Sequence, residues 1–123
     1  MANEEGLARF ILFPRHLRKA DGTITARAEA FLPYKHVELS VTRHRELSEK
    51  QIWGAGKCVS VHRALALLGR ADITAATARQ QKLDVRPAEP PKNHADVVGW
   101  PREKPAQMVY AIELAAASKY IAA

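Results

Sequence analysis

The chain has 123 residues, a size typical of one folded domain, with 47% apolar and 26% charged residues. This composition excludes a disordered chain, and no apolar stretch approaches the roughly 18 residues that a membrane-spanning helix needs. The net charge is +6, from 19 Lys and Arg against 13 Asp and Glu. We expect a flexible terminus at residues 1–6 and a single domain at residues 7–123.

Two features favour a cytoplasmic protein with no membrane association. Glu4 and Glu5 lie where a secretory signal carries positive charge. Cys58 is the one cysteine, so the chain forms neither an internal disulfide nor a cysteine-based zinc site. No pattern in the sequence decides the oligomeric state.

Apolar and alternating runs predict three strands in the first third of the chain. Residues 10–13 form an apolar run, and residues 24–32 alternate partly between apolar and polar. The dipeptide Asp21-Gly22 between them is a strong turn signal. Residues 37–43 form the clearest strand because their apolar and polar side chains alternate strictly. Short connections favour an antiparallel sheet.

A capping box predicts a helix that begins after Ser48. In this motif the side chains of Ser48 and Gln51 each satisfy a free backbone N–H group. Apolar residues follow at helical spacing, and Gly69 is expected to end the helix. Gly54 and Gly56 each weaken a helix by roughly 1 kcal/mol relative to alanine. We therefore expect both glycines to allow close packing against another element.

The second half of the chain predicts two more helices and two more strands. Thr74 caps a short helix through residue 81, and residues 83–86 and 94–100 are predicted strands. An alanine-rich helix begins near Pro105, a residue suited to the first helical position, with Met108 and Ile112 facing inward. The predicted fold class is α+β, a small and mostly antiparallel sheet packed by two main helices.

His94 and Arg43 are the weak candidates for catalysis. His94 lies between a proline-containing loop and a predicted strand, and its ordinary pKa near 6.5 suits a general base. The alternative is a structural role, in which the ring bonds a loop carbonyl group. Arg43 at a strand end can bind a phosphate or carboxylate in bidentate fashion, or form an ordinary ion pair. The histidine spacings predict no metal site, and no cofactor is expected.

Two basic clusters are candidates for nucleic-acid binding. One contains Arg15, Arg18 and Lys19, and the other contains Arg43 and Arg45. They would join into one patch if the first and third predicted strands are neighbours, with Tyr34 as the nearest aromatic residue. Such a patch would attract phosphate backbones, whereas the alternative is a solvated basic face.

The motifs that usually identify an enzyme are absent from the sequence. It contains no phosphate-binding loop, no paired carboxylates and no Cys/His cluster. The sequence therefore favours a non-enzymatic accessory or interaction protein that regulates a protein partner. Two alternatives remain: a nucleic-acid-binding module with a basic face, and a small enzyme that acts on an anionic metabolite. In the enzyme, His94 and Arg43 would share a cleft beside Trp100.

Several phrases of the sequence resemble a family of small bacterial proteins. They are Leu39-Ser40-Val41-Thr42-Arg43, Leu47-Ser48 with Ile52-Trp53, Leu83-Asp84-Val85, and residues 93–101 with their Asn-His-Ala and Gly-Trp-Pro phrases. The resemblance spans roughly residues 9–119 and implies one domain. It implies no activity, ligand or catalytic residue.

Overall fold

A computed structural model describes residues 1–33 and 38–123 of the chain. In this part, the model has an α+β fold, which confirms the predicted fold class. The strands are β1 (Gly6–Ile11), β2 (Leu17–Ala20), β3 (Thr23–Ala26), β4 (Leu39–Arg43), β5 (Gly69–Thr74), β6 (Asp84–Pro87), β7 (His94–Val98) and β8 (Lys119–Ala122). The helices are α1 (Glu49–Arg63), α2 (Ala75–Gln80) and α3 (Lys104–Ala117), and Pro14–His16 and Ala28–Phe31 form short 3-10 helices.

Six strands form one antiparallel sheet in the order β6-β7-β4-β1-β5-β8, while β2 and β3 form a separate hairpin. Ala8 in the central strand β1 lies opposite Thr42 on one side and Asp72 on the other. Strands β2, β5 and β8 were not predicted from the sequence. Gly69, Arg70 and Asp72 make β5 poor in strand-forming residues, and β8 has four residues only.

The two faces of the sheet differ in chemistry. The face that we call the core face carries apolar side chains such as Leu7, Val41 and Ile73. On the opposite face, which we call the polar face, Thr42, Asp72 and His94 belong to one register row, because successive side chains of a strand alternate between faces. The core therefore lies on one side of the sheet.

Helix α1 begins as predicted and ends earlier than predicted. Ser48 accepts a hydrogen bond from the Gln51 N–H group, and the Gln51 side chain accepts one from the Ser48 N–H group, which confirms the capping box. The helix ends at Arg63, where Ala64 adopts a left-handed conformation with φ of 54°. The prediction of Gly69 as the end is wrong, because Gly69 pairs with Ile11 in the sheet.

The two glycines of α1 have different surroundings. A Cβ atom at Gly56 would lie 2.7 Å from Cε1 of the Phe10 ring, whereas nothing lies within 4 Å of a Cβ atom at Gly54. Close packing therefore explains Gly56 only. We expect Gly54→Ala to raise the free energy of unfolding by up to about 1 kcal/mol, and Gly56→Ala to lower it by about 1–3 kcal/mol. Urea unfolding of both variants checks this, and equal effects would contradict it.

Helix α3 packs through a different stripe from the predicted one. Ala111 and Leu114 are fully buried, whereas Ile112 is 51% exposed. The prediction that Ile112 faces inward is therefore wrong. Apolar residues surround this helix on several sides, so the sequence defines no unique buried stripe. None of the described helices is long and apolar enough to cross a bilayer.

The terminus that the sequence predicts as flexible makes several contacts. The Asn3 side chain accepts a hydrogen bond from Arg79 at 2.6 Å, and the Asn3 carbonyl accepts one from the Ala76 N–H group at 2.8 Å. Glu5 accepts two hydrogen bonds from Arg43, and Gly6 already belongs to β1. These contacts join Asn3 to helix α2 and Glu5 to strand β4, and the flexibility of the terminus stays a prediction.

Candidate functional site

The two basic clusters expected to form one patch lie at opposite ends of β1. The first and third predicted strands are neighbours, since β1 pairs with β4. However, they are antiparallel, and Arg43 lies opposite Leu7 near the start of β1. Arg15, Arg18 and Lys19 follow the other end of β1, which is about 17 Å long. Tyr34, the aromatic residue considered with them, lies outside the described residues.

Arg43 forms a structural ion pair with Glu5. Its Nε and Nη2 atoms donate to the two carboxylate oxygens at 2.6 and 3.0 Å, and the side chains are only 11% and 14% exposed. The hydrogen bonds from Arg43 hold the pKa of Glu5 below its ordinary value of 4.5, and those to Glu5 raise the pKa of Arg43. Arg45, two residues later, is exposed.

Loss of this pair gives a pH-dependent change in stability. We expect Glu5→Gln to lower the free energy of unfolding by about 2 kcal/mol at pH 7, because a charge-assisted hydrogen-bond pair is lost. The pKa of Glu5 is lower in the folded than in the unfolded state, so its contribution is present above pH 4.5 and declines as pH falls through the folded pKa. Urea unfolding of both proteins at pH 7 and pH 3 measures this. A difference in unfolding free energy between the two proteins that is the same at pH 7 and pH 3 would contradict this prediction.

A second group of cations surrounds Phe13 at the far end of β1. The Arg15 Cζ atom lies 4.4 Å from the centre of the Phe13 ring, and the Arg63 Cζ atom lies 5.6 Å from it. The His16 ring packs edge-on at 5.1 Å between ring centres. Arg63 ends helix α1, 48 residues after Arg15 in the chain. The fold therefore places two arginines from distant segments on one aromatic ring, which attracts cations through its π face.

The pKa values of two neighbouring groups reflect this concentration of positive charge. Burial, followed by the charge of Arg63, lowers the pKa of Arg9 to about 10. Arg9 donates to the carbonyl oxygens of Ala30 and Ser40 at 2.8 and 3.0 Å. Burial lowers the pKa of His16, and the charges of Arg15, Arg9 and Arg63 lower it further, against an opposing effect of Glu29. Burial has the largest effect on both pKa values, and the neighbouring arginine charges lower them further.

The cations near Phe13 form no ion pair with a carboxylate of the described residues, whereas four other arginines do. Arg43, Arg70, Arg79 and Arg86 all form ion pairs. Residues 6–28 contain five Lys and Arg with one acidic residue, and residues 50–71 contain four with none. These two segments meet at Phe13. We call this region the basic end and define it by Arg9, Arg15, His16 and Arg63 near Phe13, together with Arg18 and Lys19 of the adjoining strand β2.

The sequence analysis found half of the basic end. It named Arg15, Arg18 and Lys19, and it missed Arg9, His16 and Arg63. The absence of acidic residues from positions 50–71 was the one available signal for Arg63. Contact between this segment and Phe13 follows from the packing of α1 on the sheet, which local patterns do not specify.

His94, Arg43 and Trp100 do not share a pocket. Thr42 lies opposite His94, so Arg43, the next residue along β4, projects from the opposite face of the sheet. Trp100 is buried, donates to the Val97 carbonyl at 3.0 Å and packs edge-on against Tyr110 of α3. The His94 ring bonds the Ala88 carbonyl oxygen at 2.9 Å, as in the structural alternative.

Comparisons with known proteins supply no relative on which to base a function. Neither a protein-family model, nor a curated protein, nor a solved structure matches the chain. Within residues 1–33 and 38–123, no three His, Cys, Asp or Glu side chains are arranged to hold a metal ion. Geometry and charge at the basic end and around His94 are therefore the basis for proposing a function.

Proposed function

We propose that this chain binds nucleic acids and that the basic end contacts their phosphate backbone. The observation that supports this proposal is the meeting of Arg15 and Arg63 on the Phe13 ring, with no carboxylate among the described residues to neutralise them. Guanidinium groups bind phosphate oxygens through two parallel hydrogen bonds. Arg15, Arg18, Lys19 and Arg63 are all exposed, so a ligand can reach them.

The extent of the basic end favours a polymer over a single small anion. Its cations come from β1, the 3-10 helix Pro14–His16, the strand β2 and the last turn of α1. A chain of phosphates can contact several of them together and release the counterions that it carries, which drives binding. Phosphate contacts alone carry no sequence information, so we expect little sequence preference.

Salt dependence tests the proposal. With about four phosphate contacts, the slope of log Kd against log salt is expected to be near 3 for single strands and near 4 for duplexes. Fluorescence anisotropy with labelled oligonucleotides from about 50 to 200 mM salt measures it. Absence of binding at about 50 mM salt, where such contacts are strong, would end the proposal.

Protonation of His16 should couple binding to pH. The free protein has a lowered His16 pKa because of burial and the charges of Arg15, Arg9 and Arg63, opposed by Glu29. A bound phosphate would stabilise the imidazolium ion and raise this pKa. Affinity should therefore increase as pH falls through the range between the two values. Anisotropy titrations between pH 8 and pH 5 measure this, and His16→Gln should remove the dependence. An equal dependence in that variant would contradict the assignment.

Regulation of a protein partner, the function that the sequence favours, stays a prediction. A pull-down with the whole chain tests it separately from oligonucleotide binding.

A further inference from the structure

A second polar site lies on the polar face of the sheet around His94. The register places Thr42 directly opposite His94, and places Ser40 and Arg86 directly opposite Asp96. These side chains therefore share one face. Helix α1 packs on the same face farther along the sheet, where Gly56 contacts Phe10 and Glu49 bonds Arg70. Ser40 and Arg86 are exposed, and the side chains of His94 and Asp96 keep 25% and 12% of their surface exposed, so solvent reaches all four groups.

The orientation of the His94 ring is fixed by the loop before β7. Nδ1 lies 2.9 Å from the carbonyl oxygen of Ala88. Since a carbonyl oxygen only accepts, Nδ1 carries the hydrogen, and the neutral ring presents the lone pair of Nε2. Asn93 holds the loop by donating from its side chain to the carbonyl oxygens of Arg43 and Arg45 at 3.2 and 2.6 Å. A general base needs this kind of rigid support.

The space between His94 and Asp96 has the dimensions of a water site. His94 Nε2 lies 3.9 Å from Asp96 Oδ1, which is too far for a direct hydrogen bond. Both atoms accept hydrogen bonds when His94 is neutral. A water molecule about 2.8 Å from each atom can donate one hydrogen to each of them. A hydroxyl group has one hydrogen and satisfies one acceptor, so the geometry suits water better than an alcohol.

We infer that His94 and Asp96 activate a water molecule, which hydrolyses phosphodiester bonds. For polynucleotides as substrates, this inference rests on the proposed function. Arg86, directly opposite Asp96, is 62% exposed, so its guanidinium group can exchange its ion pair with Glu38 for a phosphate. The water oxygen forms a bond to phosphorus while the bond to the leaving oxygen breaks. His94 Nε2 takes one proton from the water, and the leaving oxygen, on the opposite side of the phosphorus atom, takes a proton from solvent.

Two probes test the site separately from the basic end. Bis(4-nitrophenyl) phosphate is too small to need the basic end, and single-stranded DNA lacks the 2′-hydroxyl that would compete with water as the nucleophile. We expect His94→Asn to lower turnover of both probes by about 100-fold or more, as the loss of a general base does. His62→Asn is the matched control, since His62 is exposed on α1. Hydrolysis in ¹⁸O-water should place one ¹⁸O atom in the product phosphate.

Further variants make the outcome decisive. Asp96→Asn should also slow both reactions, and thermal unfolding shows whether each variant is folded. Arg63→Glu should weaken DNA binding by about 10- to 100-fold. His94→Asn should bind DNA as the wild type does. The site assignment fails if the wild type leaves both probes intact, or if the folded His94→Asn and His62→Asn variants react equally fast. DNA binding, measured separately, decides the proposed function in either case.

Discussion

Arg63→Glu is expected to weaken oligonucleotide binding by about 10- to 100-fold, because a charge-assisted hydrogen bond to phosphate contributes about 1.5–3 kcal/mol. Arg63 lies beside Phe13 together with Arg15, and the new carboxylate would also oppose the charge of Arg9. The slope of log Kd against log salt should fall by about 0.7 to 0.9 or more, which is the contribution of one phosphate contact. Fluorescence anisotropy at several salt concentrations provides both quantities.

Arg45→Glu is the matched control for this prediction. Arg45 is also exposed, its replacement changes the net charge equally, and it follows β4 at the other end of β1. If binding depends only on overall charge, both variants will weaken it equally, and the basic end is not the interface. If the proposed surface is correct, Arg45→Glu will have a small effect that disappears at higher salt.

The second large effect is expected for Arg70 in β5. Its side chain is 1% exposed, its Nε atom lies 3.1 Å from both oxygens of Asp72, and its Nη2 atom donates to Glu49 at 2.9 Å. The Trp53 ring lies over the guanidinium group at 4.8 Å. Arg70→Ala would leave Asp72 largely buried with only His44 nearby, at 3.4 Å. We expect a loss of about 3–5 kcal/mol in the free energy of unfolding.

A surface pair and a double variant serve as controls for Arg70. Arg79 pairs with Asp84, which is 68% exposed, so Arg79→Ala should cost at most about 1 kcal/mol. Replacing Arg70 by Met and Asp72 by Asn together should destabilise less than Arg70→Ala, because no buried charge is left unpaired. Urea unfolding measures all three variants. Equal losses for Arg70→Ala and Arg79→Ala would contradict the structural role of Arg70.

Local signals in the sequence predicted those elements that local chemistry determines. The capping box at Ser48 and the Thr74 cap were predicted correctly, and Asp21-Gly22 forms the turn between β2 and β3. Strand β5 was missed because Arg70 and Asp72 are charged residues in a buried strand. Their charges are compensated only in the folded sheet, where Arg70 pairs with both Asp72 and Glu49.

Tertiary structure decides which candidate-site residues lie together, whereas local sequence decides many of the helices and turns. The two basic clusters were expected to join if β1 and β4 are neighbours, and these strands are neighbours. However, the two strands run antiparallel, so Arg43 and Arg15 lie at opposite ends of β1. Strand alternation likewise places Arg43 and His94 on opposite faces. Arg63 joins Arg15 only because α1 packs with its last turn near Phe13. Sequence spacing carries no information on such contacts.

The most direct test of the central claim is an NMR titration of the ¹⁵N-labelled protein with a short single-stranded oligonucleotide. We predict that the backbone amides of residues 13, 15–19 and 60–64 shift together and give one dissociation constant, since both segments form the basic end. Shifts confined to residues 43–47, at the other end of β1, would contradict it, as would a spectrum that the oligonucleotide leaves unchanged.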